Sequence, residues 1–157
     1  MVFRRGKDDM WDGGERRRPP SVLVVNDEPD ACEMLVRFLG QAGFLTDGAH
    51  TDRDAMYKAT QHLPRCVVLD MQAGGVGSSL KILDQMRTHE DRRISSTRVV
   101  LCAPSPKNRS FSFQSGADAF VVRPFHLTDL IAQVTDVIDR PHDQRARHRR
   151  DQLSRDQ

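Results

Sequence analysis

The chain has 157 residues, 38% apolar and 29% charged, with a formal net charge of +2, which is room for one well-cored domain but not two. No apolar run approaches the roughly 18–20 residues of a membrane span, and the Arg-rich start lacks a secretory pattern, so a cytoplasmic protein is expected. Cys32, Cys66 and Cys102 sit among apolar neighbours without CxxC or Cys/His spacing, which excludes a zinc framework and predicts buried free thiols.

Charge divides the chain into three parts. Residues 1–20 hold six basic and four acidic side chains, residues 140–157 hold six and three, and the stretch 21–139 holds twelve and fifteen. Both arms lack apolar periodicity and bury too little to offset their ordering entropy. Residues 1–20 are therefore expected as a disordered basic arm, 21–139 as the folded domain and 140–157 as a disordered Arg-rich tail. Neither arm interleaves aromatics or carries a DNA-reading helix, so solvated tails are expected and nucleic acid is not the expected partner.

In chain order, Val22-Leu23-Val24-Val25 reads as a buried strand, and Pro29 suits the first turn of the helix after it. Ala31, Leu35, Phe38, Leu39 and Ala42 give that helix its inner face, and Gly43 ends it. Phe44-Leu45-Thr46 is a weak second strand. Thr51 caps a helix over 52–62, with Asp52 and Asp54 at its positive end. The third strand is 66–70 and its helix runs from about Ser79 to Arg87, with Gly74–Ser78 as a flexible loop; the Gly-Lys-Ser/Thr ending of a P-loop is missing. Val99–Cys102 is the fourth strand, 107–115 a poor, Ser-rich helix, Ala119–Val122 the fifth strand, and 127–139 the last helix. Strict alternation of five strands and five helices predicts a doubly wound α/β parallel sheet.

Sites in such sheets open at the carboxyl ends of the strands. The first strand runs into Asn26-Asp27-Glu28-Pro29 and the third into Asp70. In the flavodoxin-like order 2-1-3-4-5 these strands are neighbours, and Asp27 and Asp70 would share one pocket. Paired carboxylates suit Mg²⁺, which prefers hard oxygen ligands, and a carboxylate beside a cation can accept a phosphoryl group as an acyl phosphate.

The strings VLVVNDEPD, CVVLD, VVLCA and GADAFVVRPF, spread through 21–139, together resemble the receiver domain of two-component response regulators. The resemblance implies Asp70 as phospho-acceptor, Asp27 as a direct metal ligand and the backbone carbonyl of Gln72 as its neighbouring ligand. It makes Phe120 the aromatic that swings inward on activation, and it implies a cis bond before Pro124. Three positions depart from the family pattern. Asn26 replaces a second acid and weakens the Mg²⁺ site or removes it. Cys102 replaces a hydroxyl residue that would hold a phosphoryl oxygen, and a thiol is a weak donor. Arg123 replaces a Lys, and its planar fork grips phosphate differently.

With 18 residues after Asp139, no output domain of the usual kind is expected. The resemblance then implies an atypical single-domain response regulator in a phosphorelay, not an enzyme in the metabolic sense. Its partners would be a histidine kinase or phosphotransfer protein and a downstream protein target, with two copies pairing through the strand-four to helix-five face. The alternative is a pseudo-receiver that binds partners without phosphate. His62, His89, His126 and the tail histidines show no ligand spacing and are expected at the surface.

Overall fold

The apolar runs become the strands of one parallel sheet: β1 (Ser21–Val25), β2 (Leu45–Ala49), β3 (Cys66–Leu69), β4 (Arg98–Ala103) and β5 (Ala119–Val122). The computed structural model describes residues 18–155. Its strand order is β2-β1-β3-β4-β5, the order expected. Register places Val25 beside both Ala49 and Leu69, and Leu69 beside Leu101, so the carboxyl ends of β1, β3 and β4 lie side by side.

Alternation of side chains along each strand splits the core into two layers. Val22, Val24, Val68, Val100 and Cys102 face α1 (Pro29–Gln41) and α6 (Leu127–Asp139). Leu23, Val25, Val67, Leu69 and Leu101 face α2 (Asp52–His62) and α3 (Gly75–Arg87). As predicted, Pro29 opens α1 and Thr51 caps α2, accepting the Asp54 N–H at 3.0 Å. All three cysteines are buried free thiols. Among the described residues, no helix is long and apolar enough to cross a membrane.

Seven α-helices form among the described residues, where five were expected. One is a single turn, α4 (Arg92–Ser95), capped by Asp91. The poor helix at 107–115 resolves into a 3₁₀ turn over Pro106–Asn108 and α5 (Arg109–Gln114). The glycine run is not a loop: α3 begins at Gly75, which takes φ 66°. Burial of Ser79, Ile82, Leu83 and Met86 along the helix outweighs the low propensity of its first turn.

The largest correction is the C-terminal tail, expected to be disordered, which forms α7 (His142–Ser154) packed on α5. Arg145 is 5% exposed. Its guanidinium donates to both oxygens of Asp118, at 2.9 and 3.1 Å, and to the Ser96 carbonyl at 2.7 Å. Arg149 reaches the same carboxylate at 3.4 Å, and His148 stands edge-on to Phe113. Apolar periodicity misses this helix because arginine anchors it. Residues 1–17 of the N-terminal arm lie outside the described residues; the chain enters the fold at Pro20, whose carbonyl accepts the Leu45 N–H at 3.0 Å.

Candidate functional site

The ends of β1, β3 and β5 each deliver one polar side chain to a common pocket. After β1, Asn26 is held by its own N–H on the Ala49 carbonyl at 2.9 Å and is fully buried. Its Oδ1 accepts the Glu28 N–H at 2.8 Å, which turns its Nδ2 toward Asp70 Oδ2 at 3.3 Å. After β3, Asp70 donates its N–H to the Val25 carbonyl at 2.8 Å, and the residue is 2% exposed. After β5, the Arg123 N–H bonds the Ala103 carbonyl at 2.8 Å and its guanidinium donates to Asp70 Oδ1. The Arg123–Pro124 peptide is cis.

Asp27 is half-buried and binds the backbone of the β3–α3 loop, accepting the Gln72 N–H at 2.7 Å and the Ala73 N–H at 2.8 Å. Two side chains that no sequence pattern marked also shape this site. Buried Ser79 accepts the Met71 N–H at 3.2 Å and pins the loop, and His50 Nδ1 meets the Asn26 carbonyl at 3.1 Å. Each acts through one hydrogen bond between distant residues, which leaves no periodic or motif signal.

The two carboxylates are tuned in opposite directions. Burial pushes the Asp70 carboxyl above its ordinary value; Arg123 opposes this, while the charge of Asp27 adds to it. Burial also raises Asp27, but the Gln72 and Ala73 amides, with the charge of Arg123, outweigh it and leave that carboxyl below its ordinary value. Asp27 is therefore the firmly ionised member of the pair and Asp70 the costly one.

Of the residues singled out from sequence, Asn26, Asp27, Asp70, Gln72 and Arg123 meet here. Cys102 lies beneath them in β4, fully buried, its thiol raised well above the ordinary value by burial and then by the charge of Asp70. It is a neutral packing group. Phe120 sits in β5 opposite Leu101, half-buried against the other core layer, on the α2–α3 side. Beside Asp70 and Arg123 opens a groove of about 380 Å³ lined mainly by Met34, Leu35, Phe125 and Leu127.

This donor set is a poor fit for an octahedral divalent cation, because Asp70 faces the Arg123 guanidinium and the Asn26 NH₂ group, donors where a cation needs acceptors. Each oxygen of Asp27 also accepts one amide N–H, which holds that carboxylate on the β3–α3 loop. The Gln72 carbonyl accepts the Gly75 N–H at 3.1 Å.

Comparison with known proteins places this arrangement. The sequence model of the family described as response regulator receiver domain matches residues 22–135. The transcriptional regulatory protein PrrA of Mycobacterium tuberculosis is 30% identical over 125 residues, covering 77% of this chain and 51% of PrrA. The chain thus spans about half the length of the curated relatives it matches first. A putative response regulator from Chloroflexus aurantiacus shares the fold, with a TM-score of 0.68 at 22% identity, covering 78% of this chain and 99% of that one. The response regulator TrrA of Thermotoga maritima, solved in complex with Mg²⁺ and BeF, gives a TM-score of 0.64 at 27% identity, covering 75% of this chain and 98% of that one.

Proposed function

The chain belongs to the response regulator receiver family of two-component signalling, and on that footing we propose that Asp70 accepts a phosphoryl group from a partner's phosphohistidine. The signal then passes on by protein contact. One arrangement supports this reading: a buried carboxylate, ionised at a cost, lies against a fixed guanidinium at the edge of an apolar groove. The groove suits an apolar partner surface that brings its imidazole to Asp70. Asp70 Oδ2 attacks phosphorus; its 3.3 Å bond from Asn26 is the weaker of its two contacts to release. The new P–O bond forms as the P–N bond breaks, and the electron pair leaves with the imidazole nitrogen.

The acyl phosphate carries roughly two negative charges where the ionised carboxylate carried one, and presents three strong acceptors at this spot. Arg123 must then turn from the carboxylate to the phosphoryl oxygens, dragging the end of β5 that carries Phe120. Cys102 is the weak link in that relay, because a neutral thiol offers little to a phosphoryl oxygen.

Intact-mass analysis after incubation with acetyl phosphate tests the assignment, with Asp70→Ala alongside. A single added phosphoryl group in the wild type and none in the variant is the expected result. The rival reading, a pseudo-receiver that binds its partner without phosphate, draws support from the full set of contacts already held by Asp27 and Asp70. No added mass, from acetyl phosphate or from a phosphorylated histidine-containing donor protein, would favour that module.

A further inference from the structure

We propose that Arg123 is the resident cation of the Asp70 pocket, so that phosphoryl capture there proceeds without a divalent metal ion. This rests on the reading of Asp70 as acceptor and adds how the charge on the transferring group is met.

Three features of the pocket turn a metal ion away. The Asn26 amide cannot flip to offer its oxygen, because that oxygen holds the Glu28 N–H at 2.8 Å. Its NH₂ group therefore faces Asp70, a donor where a cation needs an acceptor. Asp27 is tethered to the loop by the Gln72 and Ala73 amides, and the Gln72 carbonyl to the start of α3 by the Gly75 N–H, so each has one lone pair per oxygen engaged and turning either toward an ion strains these bonds. Finally, the guanidinium of Arg123 already lies on Asp70 Oδ1 and repels a second positive charge.

What excludes the metal also replaces it. A guanidinium stays charged throughout the physiological range, and its planar fork matches two phosphoryl oxygens at once. With acetyl phosphate as donor, the Asp70–phosphorus bond forms while the donor's P–O bond breaks, and acetate leaves with the electron pair. Arg123 bears on the equatorial oxygens, where charge spreads in the transition state.

The test uses the full chain and two readouts. The first is Mn²⁺ binding, followed by the electron-paramagnetic signal of the free ion, in wild type, Asn26→Asp, Arg123→Ala and the double variant. The wild type should show no saturable binding in the millimolar range, and the double variant should bind about tenfold or more tightly, since one adjacent charge shifts a neighbouring ionisation by about one to three pKa units. Asn26→Asp alone should give a smaller gain and serves if the double variant does not fold. Saturable wild-type binding within about twofold of the best-binding variant overturns the proposal, as does a failure of every folded variant to gain binding.

The second readout is acetyl phosphate labelling of the wild type in EDTA and in Mg²⁺, read by mass. Equal labelling is expected. Labelling that needs Mg²⁺ overturns the proposal. If neither condition labels, and a phosphorylated histidine-containing donor protein also adds no mass, while the Mn²⁺ series behaves as expected, the acceptor reading of Asp70 falls and exclusion of the metal by Arg123 and Asn26 stands.

Discussion

Asp118, at the amino end of β5 and 2% exposed, takes guanidinium contacts from Arg87 at 3.2 Å, Arg145 at 2.9 Å and Arg149 at 3.4 Å, and accepts the Val99 N–H at 2.9 Å. Three cations share one carboxylate; burial, with repulsion from Arg145 and Arg149, outweighs the pull of Asp118 and holds Arg87 down to about 10. The remaining N–H groups of Arg87 go to the carbonyls of Ser95, Thr97 and Gly116. Gly116 is required twice over: its φ is +104°, and a Cβ there would stand 2.8 Å from Arg87 Nε. Replacing Asp118 by Asn keeps the shape and removes the one negative charge, which leaves buried guanidinium groups uncompensated. Breaking a buried pair from one side costs about 3–5 kcal/mol. Urea unfolding of Asp118→Asn should show a loss of that order, and a loss of only a few tenths would mean that water, rather than the carboxylate, satisfies these arginines.

At the scale of elements, α7 differs in kind from the helices that pack the sheet. Helix α6 buries Leu130, Val134, Val137 and Ile138, whereas α7 buries only Arg145. Isolated helices of this length are marginal in water, so docking supplies its stability. Its contacts to α5 are polar or edge-on: Arg109 donates to the Gln152 carbonyl at 3.1 Å, and the Phe113 and His148 rings lie 6.5 Å apart. Burial, then the charge of Arg140, lowers the His148 pKa, although Asp136, Asp118 and Asp151 pull it the other way. A histidine whose folded pKa is lowered is neutral in both states above 6.5 and favours the unfolded state once pH falls through 6.5 and then through the folded value. Docking of α7 should therefore loosen as pH drops from about 7.5 to about 5.5. Hydrogen exchange across 142–154, corrected for the intrinsic pH effect, should show protection falling in the wild type and a flatter response in His148→Gln. Identical pH profiles would remove His148 from the account.

The whole molecule was legible in sequence to the extent that its parts obey a period. Val22–Val25 and Cys66–Leu69 announce buried strands because both faces are covered, and their carboxyl ends pointed to Asp27 and Asp70. Single polar pairings carry no period, whether across the chain, as Arg145 on Asp118, or across one loop, as Ser79 under Met71, so both stayed hidden. The Asn26 amide was legible as a missing charge but not in its orientation, which depends on a single bond to Glu28. One consequence of the pocket reaches global stability. Asp70 has its pKa raised by burial, so its charged form destabilises the folded state, and that penalty grows as pH rises from 3.8 through the raised folded value. Below 3.8 the carboxyl is protonated in both states and the penalty is absent. Asparagine copies the shape of the protonated acid, so Asp70→Asn should unfold at higher urea than the wild type at pH 7. A domain stable by about 5–15 kcal/mol shows a shift of one pKa unit plainly, at about 1.4 kcal/mol. The gap between the two proteins should close toward about pH 3.5, below the unfolded value. An Asp70→Asn protein weaker than the wild type at pH 7 would mean that the Arg123 pair outweighs burial, and that the acceptor is held ionised at no cost to the fold.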